Sequence, residues 1–189
     1  MKRREFLRWS LAGSAAAAAG IVGYTFAIEP HWLEIVEQSL PIAGLPRTLV
    51  DQRLVHLSDL HVGPRVSDEY LIESLRRARA LAAHAGEPAL VLSHNPDSLD
   101  HAGWSGYRGW VLAGHTHGGQ CKPPFLPPPL LPVQNKRYTA GAIPLADGRA
   151  VYISRGIGHL IPVRFNVRPE ITSFTLASAP IGSSASDAM

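Results

Sequence analysis

Three short apolar runs, each leading into side chains that can hold a metal ion, constrain this chain more than any other feature. Leu54-Val55-His56-Leu57-Ser58 leads into Asp59-Leu60-His61. Ala89 to Leu92 leads into Ser93-His94-Asn95-Pro96-Asp97, and Trp110 to Ala113 into Gly114-His115-Thr116-His117-Gly118-Gly119. Runs of this length with polar, Gly or Pro flanks read as buried strands. In open α/β structures ligands gather where strands end and loops begin. One such strand end means little. Three that agree in residue type predict one shared site.

The residue types set the chemistry. In an extended stretch, positions i and i+2 point the same way. Asp59 with His61, and His115 with His117, can then each reach one ion, while Leu60 points to the core. Gly114, Gly118 and Gly119 permit unusual backbone angles and close approach, and His94 completes the candidate set. Imidazole and carboxylate without thiolate suit Mn, Fe or Zn better than Ca or a soft metal. His31, His56, His84, His101 and His159 read as ordinary core or surface histidines. Cys121 excludes an intrachain disulfide and reads as a small core residue more readily than as a soft metal contact. Arg155 and Arg164 are candidates for a substrate phosphate, with ordinary surface roles equally open.

The remaining chain supplies a scaffold. Ser67 or Asp68 caps an expected helix running to about Ala83, with Leu71, Ile72, Leu75, Ala78 and Leu81 on one face. Pro123 to Pro132 is too proline-dense for a helix or a central strand. Val151 to Ser154 and Ile171 to Leu176 read as later strands. Residues 29–48 form a connector with some helical character, and the tail at 177–189 is expected to be disordered.

Charge is concentrated at the start. Lys2, Arg3, Arg4 and Arg8 against Glu5 account for the whole formal net charge of +3. The neutral remainder gives no electrostatic basis for nucleic-acid binding. Arg3-Arg4 followed by Phe6-Leu7 resembles a twin-arginine export signal, and Trp9 to Ile28 then runs without charge. A basic head followed by a mildly apolar stretch is the order of a secretory leader. About 20 such residues also suffice to cross a bilayer. Residues 1–28 therefore read as a signal or a membrane anchor, the signal being favoured, with Thr25-Phe26-Ala27 as a weak cleavage candidate. The body is expected outside the cytoplasm, periplasmic or on the outer face of the membrane, delivered by the twin-arginine machinery.

Ser58-Asp59-Leu60-His61, Leu92-Ser93-His94-Asn95-Pro96-Asp97 and Gly114-His115-Thr116-His117-Gly118-Gly119-Gln120 resemble the first, fourth and fifth motifs of the calcineurin-like metallophosphoesterases. Ser154-Arg155-Gly156-Ile157-Gly158, with Arg164-Phe165-Asn166 and Arg168-Pro169-Glu170-Ile171, resembles the end of their membrane-associated bacterial branch. The resemblance covers about Leu49 to Leu176. It implies an α/β fold, a metallophosphoesterase-type β-sandwich flanked by helices, over 49–176. It implies Asp59, His61 and His117 on one divalent ion, with His94 and His115 on a second. The implied activity is hydrolysis of phosphomonoester, phosphodiester or pyrophosphate bonds. A phosphorylated small molecule or a lipid-linked or nucleotide-sugar substrate, such as a UDP-diacylglucosamine, is the implied partner.

The family also carries a Gly-Asp motif, whose aspartate bridges the metals, and a Gly-Asn-His motif, whose histidine acts near the leaving group. This sequence has no Gly-Asp and no Asn-His dipeptide. Only His84 to Pro88 lies where both belong, so the middle of the domain reads as deleted. The second ion would keep only His94 and His115, two neutral ligands and a poor cage. At most one bound ion is therefore expected, and no catalytic residue is assigned. Asp97, Asp100 and Glu87 are conceivable replacements for the bridge without support from spacing. The alternatives to the family's phosphoesterase are an impaired remnant holding one ion or none, and a different, mononuclear hydrolase built on Asp59, His61 and His117. No oligomer signal is present.

Overall fold

Alternation along two adjacent strands decides the layering. In the computed structural model, which describes residues 2–56, 58–59, 69–70, 73, 91–100, 108–159, 161–180 and 184–187, β4 (Trp110–Ala113) and β6 (Ala150–Ile153) are buried at every position. Successive side chains of a strand point to opposite faces. Trp110, Leu112, Ala150 and Tyr152 accordingly enter one core with Leu40, Phe174 and Leu176. Val111, Ala113, Val151 and Ile153 enter another with Leu99, Tyr138 and Leu145. A strand covered on both faces is the signature of a central, largely parallel sheet.

That sheet has the order β3-β4-β6-β5, with β3 at Val91–Leu92 and β5 at Gly141–Pro144. β3, β4 and β6 run parallel, and β5 is antiparallel to β6. A second sheet has the order β1-β7-β2, with β1 at Glu34–Ala43, β2 at Arg53–His56 and β7 at Glu170–Ala179. The first core lies between the two sheets, giving the expected sandwich. Tyr152 meets Phe174 edge to face across it, with ring centroids 5.0 Å apart. The Trp110 indole N–H donates to the Pro41 carbonyl at 2.9 Å. Burying each large apolar side chain there contributes about 1.5–3 kcal/mol.

Two expectations about the chain's flanks are corrected. The connector at 29–48 is not helical in its centre. Glu34–Ala43 is a ten-residue strand parallel to β7, with Glu34 opposite Glu170. Ile35, Val36 and Ile42 favour this state, and pairing with the long β7 overrides the helix-like spacing. The tail also begins later than 177, because β7 continues to Ala179. Ser184 and Ala185 are buried, and the Ala185 N–H donates to the Arg108 carbonyl at 3.1 Å. The expected helix from Ser67 to Ala83 lies largely outside the described residues.

The N-terminal segment is a helix, α1 (Arg3–Gly23), with no buried residue. With the turns that follow, Arg3–His31 is long and apolar enough to cross a membrane, its most apolar 18 residues having a mean hydropathy of 1.6. Its lower end is fastened to the body. The Thr25 carbonyl accepts the Arg164 N–H at 2.9 Å. The fully buried Glu29 carboxylate accepts the Asn166 N–H at 2.9 Å and the Val167 N–H at 2.5 Å.

β2 ends at a histidine with a stability consequence. His56 Nδ1 is sealed from solvent without a hydrogen-bond partner. Burial pushes the imidazole below its ordinary value of 6.5, outweighing the attraction of Glu170 and Asp59. Below about pH 6.5 the unfolded chain binds this proton and the folded chain resists it, so stability falls as pH drops towards the lowered value. The expected slope from this group approaches about 1.4 kcal/mol per pH unit within that window. Urea unfolding between pH 7 and 5 checks it: His56→Gln should flatten the dependence, and an unchanged slope would assign it elsewhere.

Candidate metal centre

Parallel pairing puts the ends of β3, β4 and β6 on one edge of their sheet. From that edge come His94, then His115 and His117, then Ser154 to Gly158. The second sheet delivers Ser58 and Asp59 just beyond β2. Backbone bonds fasten the pieces together. Gly114 N–H donates to the His94 carbonyl at 3.0 Å, Ser154 N–H to Ala113 at 2.8 Å, and Ile157 N–H to Ser58 at 3.1 Å. Gly158 N–H donates to the Asp59 carbonyl at 2.7 Å.

Asp59 is the hub. Its side chain is 1% exposed and its Oδ1 lies 3.5 Å from His117 Nε2 and 3.7 Å from His94 Nε2. Both carboxylate oxygens accept the His115 N–H, at 3.1 and 3.0 Å, and Ser58 Oγ donates to Oδ2. Two glycines make room. A Cβ on Gly114 would collide with Ser58 Oγ and Asp59 Oδ2, and one on Gly156 would fall 2.6 Å from Asp59 Cβ. The rings of His94 and His115 meet edge to face at 5.2 Å.

The backbone is not extended at these positions, as the i, i+2 reasoning assumed. Asp59, His115 and His117 all have left-handed backbones, with φ of 57°, 70° and 51°. Such conformations cost residues other than glycine free energy and collect at functional sites. The turn after β4 is a short 3-10 segment, His117–Gly119, with the Thr116 hydroxyl accepting the Gly118 N–H at 3.2 Å.

Asp59, His94, His115 and His117 are thus brought to one edge, and His61 lies outside the described residues. Two ligands on one tetrahedral ion, each about 2.1 Å from it, stand about 3.4 Å apart. The separations of Asp59 from His117 and from His94 are of that size. His94 is 60% exposed, so an ion there would be reachable from solvent. His115 is turned away, its Nε2 3.0 Å from the Pro132 carbonyl oxygen. Among the described residues no three such side chains close on a single point. The donor types fit a divalent ion pairwise, and the described residues alone do not complete its cage.

Neither arginine candidate is aimed at a substrate. Arg164 is fully buried and donates to the carbonyls of Arg155, Gly156, Gly158 and Val167 at 2.6 to 3.2 Å. Burial lowers its pKa to about 10. It shapes the loop that carries Gly156 against Asp59. Arg155 is held by Glu170 at 2.5 Å and Glu34 at 2.8 Å. Asp97 and Asp100 are engaged elsewhere, Asp97 by the N–H groups of Gln134 and Asn135, Asp100 by Asn135 and the Tyr138 hydroxyl. Glu87 lies outside the described residues. Ser58 and Gly156 contribute to the centre in ways that spacing did not reveal.

Beside His117 opens an apolar cavity of about 380 Å³, walled by Leu130, Leu131, Pro132, Ile161 and Val163. Cys121 also lines it, half-buried, and burial raises its thiol pKa.

The chain is similar to several curated proteins. It is 43% identical over 98 residues to the phosphodiesterase YaeI of Escherichia coli, covering 50% of this chain and 34% of that protein. It is 46% identical over 99 residues to the uncharacterized metallophosphoesterase YkuE of Bacillus subtilis, covering 52% and 30%. It is 32% identical over 150 residues to the UDP-2,3-diacylglucosamine pyrophosphatase LpxG of Chlamydia muridarum, covering 75% and 43%. The chain therefore spans about a third of the length of the first two. No family model matches, and no solved structure matches.

Proposed function

We propose that this chain, metallophosphoesterase in sequence over the half that aligns with its curated relatives, carries a metal-dependent phosphoesterase centre reduced to a single ion. One observation carries the reading. A sealed carboxylate, Asp59, sits between Gly114 and Gly156 with the imidazoles of His94 and His117 at the spacing of shared ligands. His61 completes the proposed set, and His115, its ring turned to the Pro132 carbonyl, supports it through its N–H on Asp59. A divalent ion held there supplies positive charge that polarises a phosphoryl oxygen and acidifies bound water. The chain's own residues position it. Ser58 and the His115 N–H orient the Asp59 carboxylate, and the Arg164-shaped loop keeps Gly156 against its back.

A lipid-linked phosphate ester or pyrophosphate is the substrate class we favour. The apolar cavity next to His117 supports it, as does the diacylated substrate in the name of the chlamydial relative. We further propose twin-arginine export with the body outside the cytoplasm. The buried Thr25 and the fastening at Glu29 favour a retained anchor over a cleaved signal. The four basic residues of the head then remain on the cytoplasmic side.

A second reading, a remnant that binds one ion and turns over little, is favoured by the missing Gly-Asp and Asn-His dipeptides. Elemental analysis of metal-loaded protein should return at most about one divalent ion per chain. With Mn, hydrolysis of bis-p-nitrophenyl phosphate should be very weak. Two tightly held ions would overturn the single-ion proposal. Robust turnover abolished by His117→Ala would overturn the remnant and show that other residues replace the missing motifs.

A further inference from the structure

We infer that the proline-rich loop from Pro123 to Pro132, with Ile161 beside it, is a second bilayer contact at the foot of the N-terminal helix. The inference rests on reading α1 as a retained anchor and adds a surface to it. Four large apolar side chains stand out here: Phe125 is 105% exposed, Leu126 59%, Leu130 79% and Ile161 62%. Phe125 holds its ring outward from a left-handed backbone, φ 65°. The loop is built to keep this shape. Leu126 N–H donates to the Pro123 carbonyl at 3.3 Å, and Lys136 Nζ to the Leu131 carbonyl at 2.9 Å. Gly119 lets it close, since a Cβ there would fall 3.0 Å from the Leu130 carbonyl oxygen.

Continuity with the helix identifies the occupant as lipid. One short segment, 164–167, bonds to both. On one side its N–H groups reach Thr25 and Glu29. On the other, Phe165 N–H donates to the Gln120 carbonyl and Lys122 N–H to the Phe165 carbonyl, both at 2.9 Å. The Gln120 side chain then reaches the carbonyls of Ile161 and Val163 at 3.0 and 2.9 Å. The loop is therefore two hydrogen-bonded steps from the helix end, where Phe26 and Ile28 are also half exposed. Trp32 lies at the same foot, half exposed, with the Arg168 guanidinium 4.7 Å from its ring centroid. A tryptophan backed by a cation suits the headgroup layer. An apolar patch continuous with a membrane-length helix meets the same solvent as that helix. The inner face of the loop walls the cavity beside His117, so that cavity would open at the lipid surface.

Depth-resolved quenching of the full chain tests this. In a Cys121→Ala background, single cysteines replace Phe125, Leu130, Leu11 of α1, or Asp147 between β5 and β6. Each carries an environment-sensitive fluorophore, in vesicles of phosphatidylethanolamine and phosphatidylglycerol. Labels at 125, 130 and 11 should shift to the blue and be quenched by nitroxides on the acyl chains. Iodide in the water should quench them at least about threefold less than the label at 147. Shielding at 11 alone, with 125 and 130 behaving like 147, would overturn the loop contact and leave the anchor standing. Water-like behaviour at all four positions would overturn the anchor and the inference with it. Labels at 125 and 130 protected from both quenchers would show a protein partner in place of lipid, which also overturns the inference.

Discussion

Asp59→Asn is expected to weaken Mn or Zn binding at least about a hundredfold, corresponding to about 2.7 kcal/mol, while leaving the fold intact. Carboxylate and amide have nearly the same shape. The amide oxygen still accepts the His115 N–H, so the backbone at Gly114 to His117 keeps its support. What disappears is the negative charge that offsets the cation between two imidazoles. Gly114→Ala separates position from charge. It changes none of the proposed ligands and puts a methyl group where Ser58 Oγ and Asp59 Oδ2 now sit. A carboxylate displaced by even an ångström loses its share of the ion, so a loss of about tenfold to a hundredfold is expected, the range seen when supporting groups around a metal are removed. Competition against a chromophoric chelator measures both affinities, and a thermal melt confirms folding. Unchanged affinity in Asp59→Asn would remove this residue from the centre.

Arg164→Met should destabilise the chain by at least about 3 kcal/mol, or prevent folding outright. The guanidinium is fully buried and donates to four carbonyls. Methionine fills part of the volume and takes that donor from the Arg155, Gly158 and Val167 carbonyls, while Gly156 keeps the Glu170 N–H at 3.0 Å; each unsatisfied buried polar group costs about 1–3 kcal/mol. Arg164→Lys should recover less than half of the loss, because one ammonium cannot fork across acceptors as a planar guanidinium does. Urea unfolding in mild detergent measures it. A shift under about 1 kcal/mol in Arg164→Met would show that this region does not depend on the buried cation. The same variant should also weaken metal binding, since three of the four carbonyls belong to Arg155, Gly156 and Gly158, the loop that backs Asp59.

The strands β4 and β6 were legible because apolar runs of four residues have few other uses. β1 was not. Glu34, Glu37 and Gln38 break its pattern, and Pro41 argues against a strand interior. What makes it a strand is the partner β7, distant in the chain. The gathering of Asp59, His94, His115 and His117 at one sheet edge was legible, since few sequences place such residues after three successive strands. Their geometry was not. Left-handed backbones at three of the four leave no mark on residue spacing. The closeness of Gly156 to Asp59 depends on a loop shaped by a buried arginine that the sequence presented as a phosphate contact or a surface group.

The fastening at Glu29 also sets a schedule. Its carboxylate waits for the Val167 N–H, 138 positions later in the chain. At about 5–20 residues per second, the ribosome needs on the order of ten seconds to supply that partner. Throughout that interval the leader is made while its mooring is not, and β1 lacks its neighbour β7. A transporter that threads nascent chain would separate the two ends before they meet. One that accepts finished domains lets them join first, and a threaded chain has to join them on the far side.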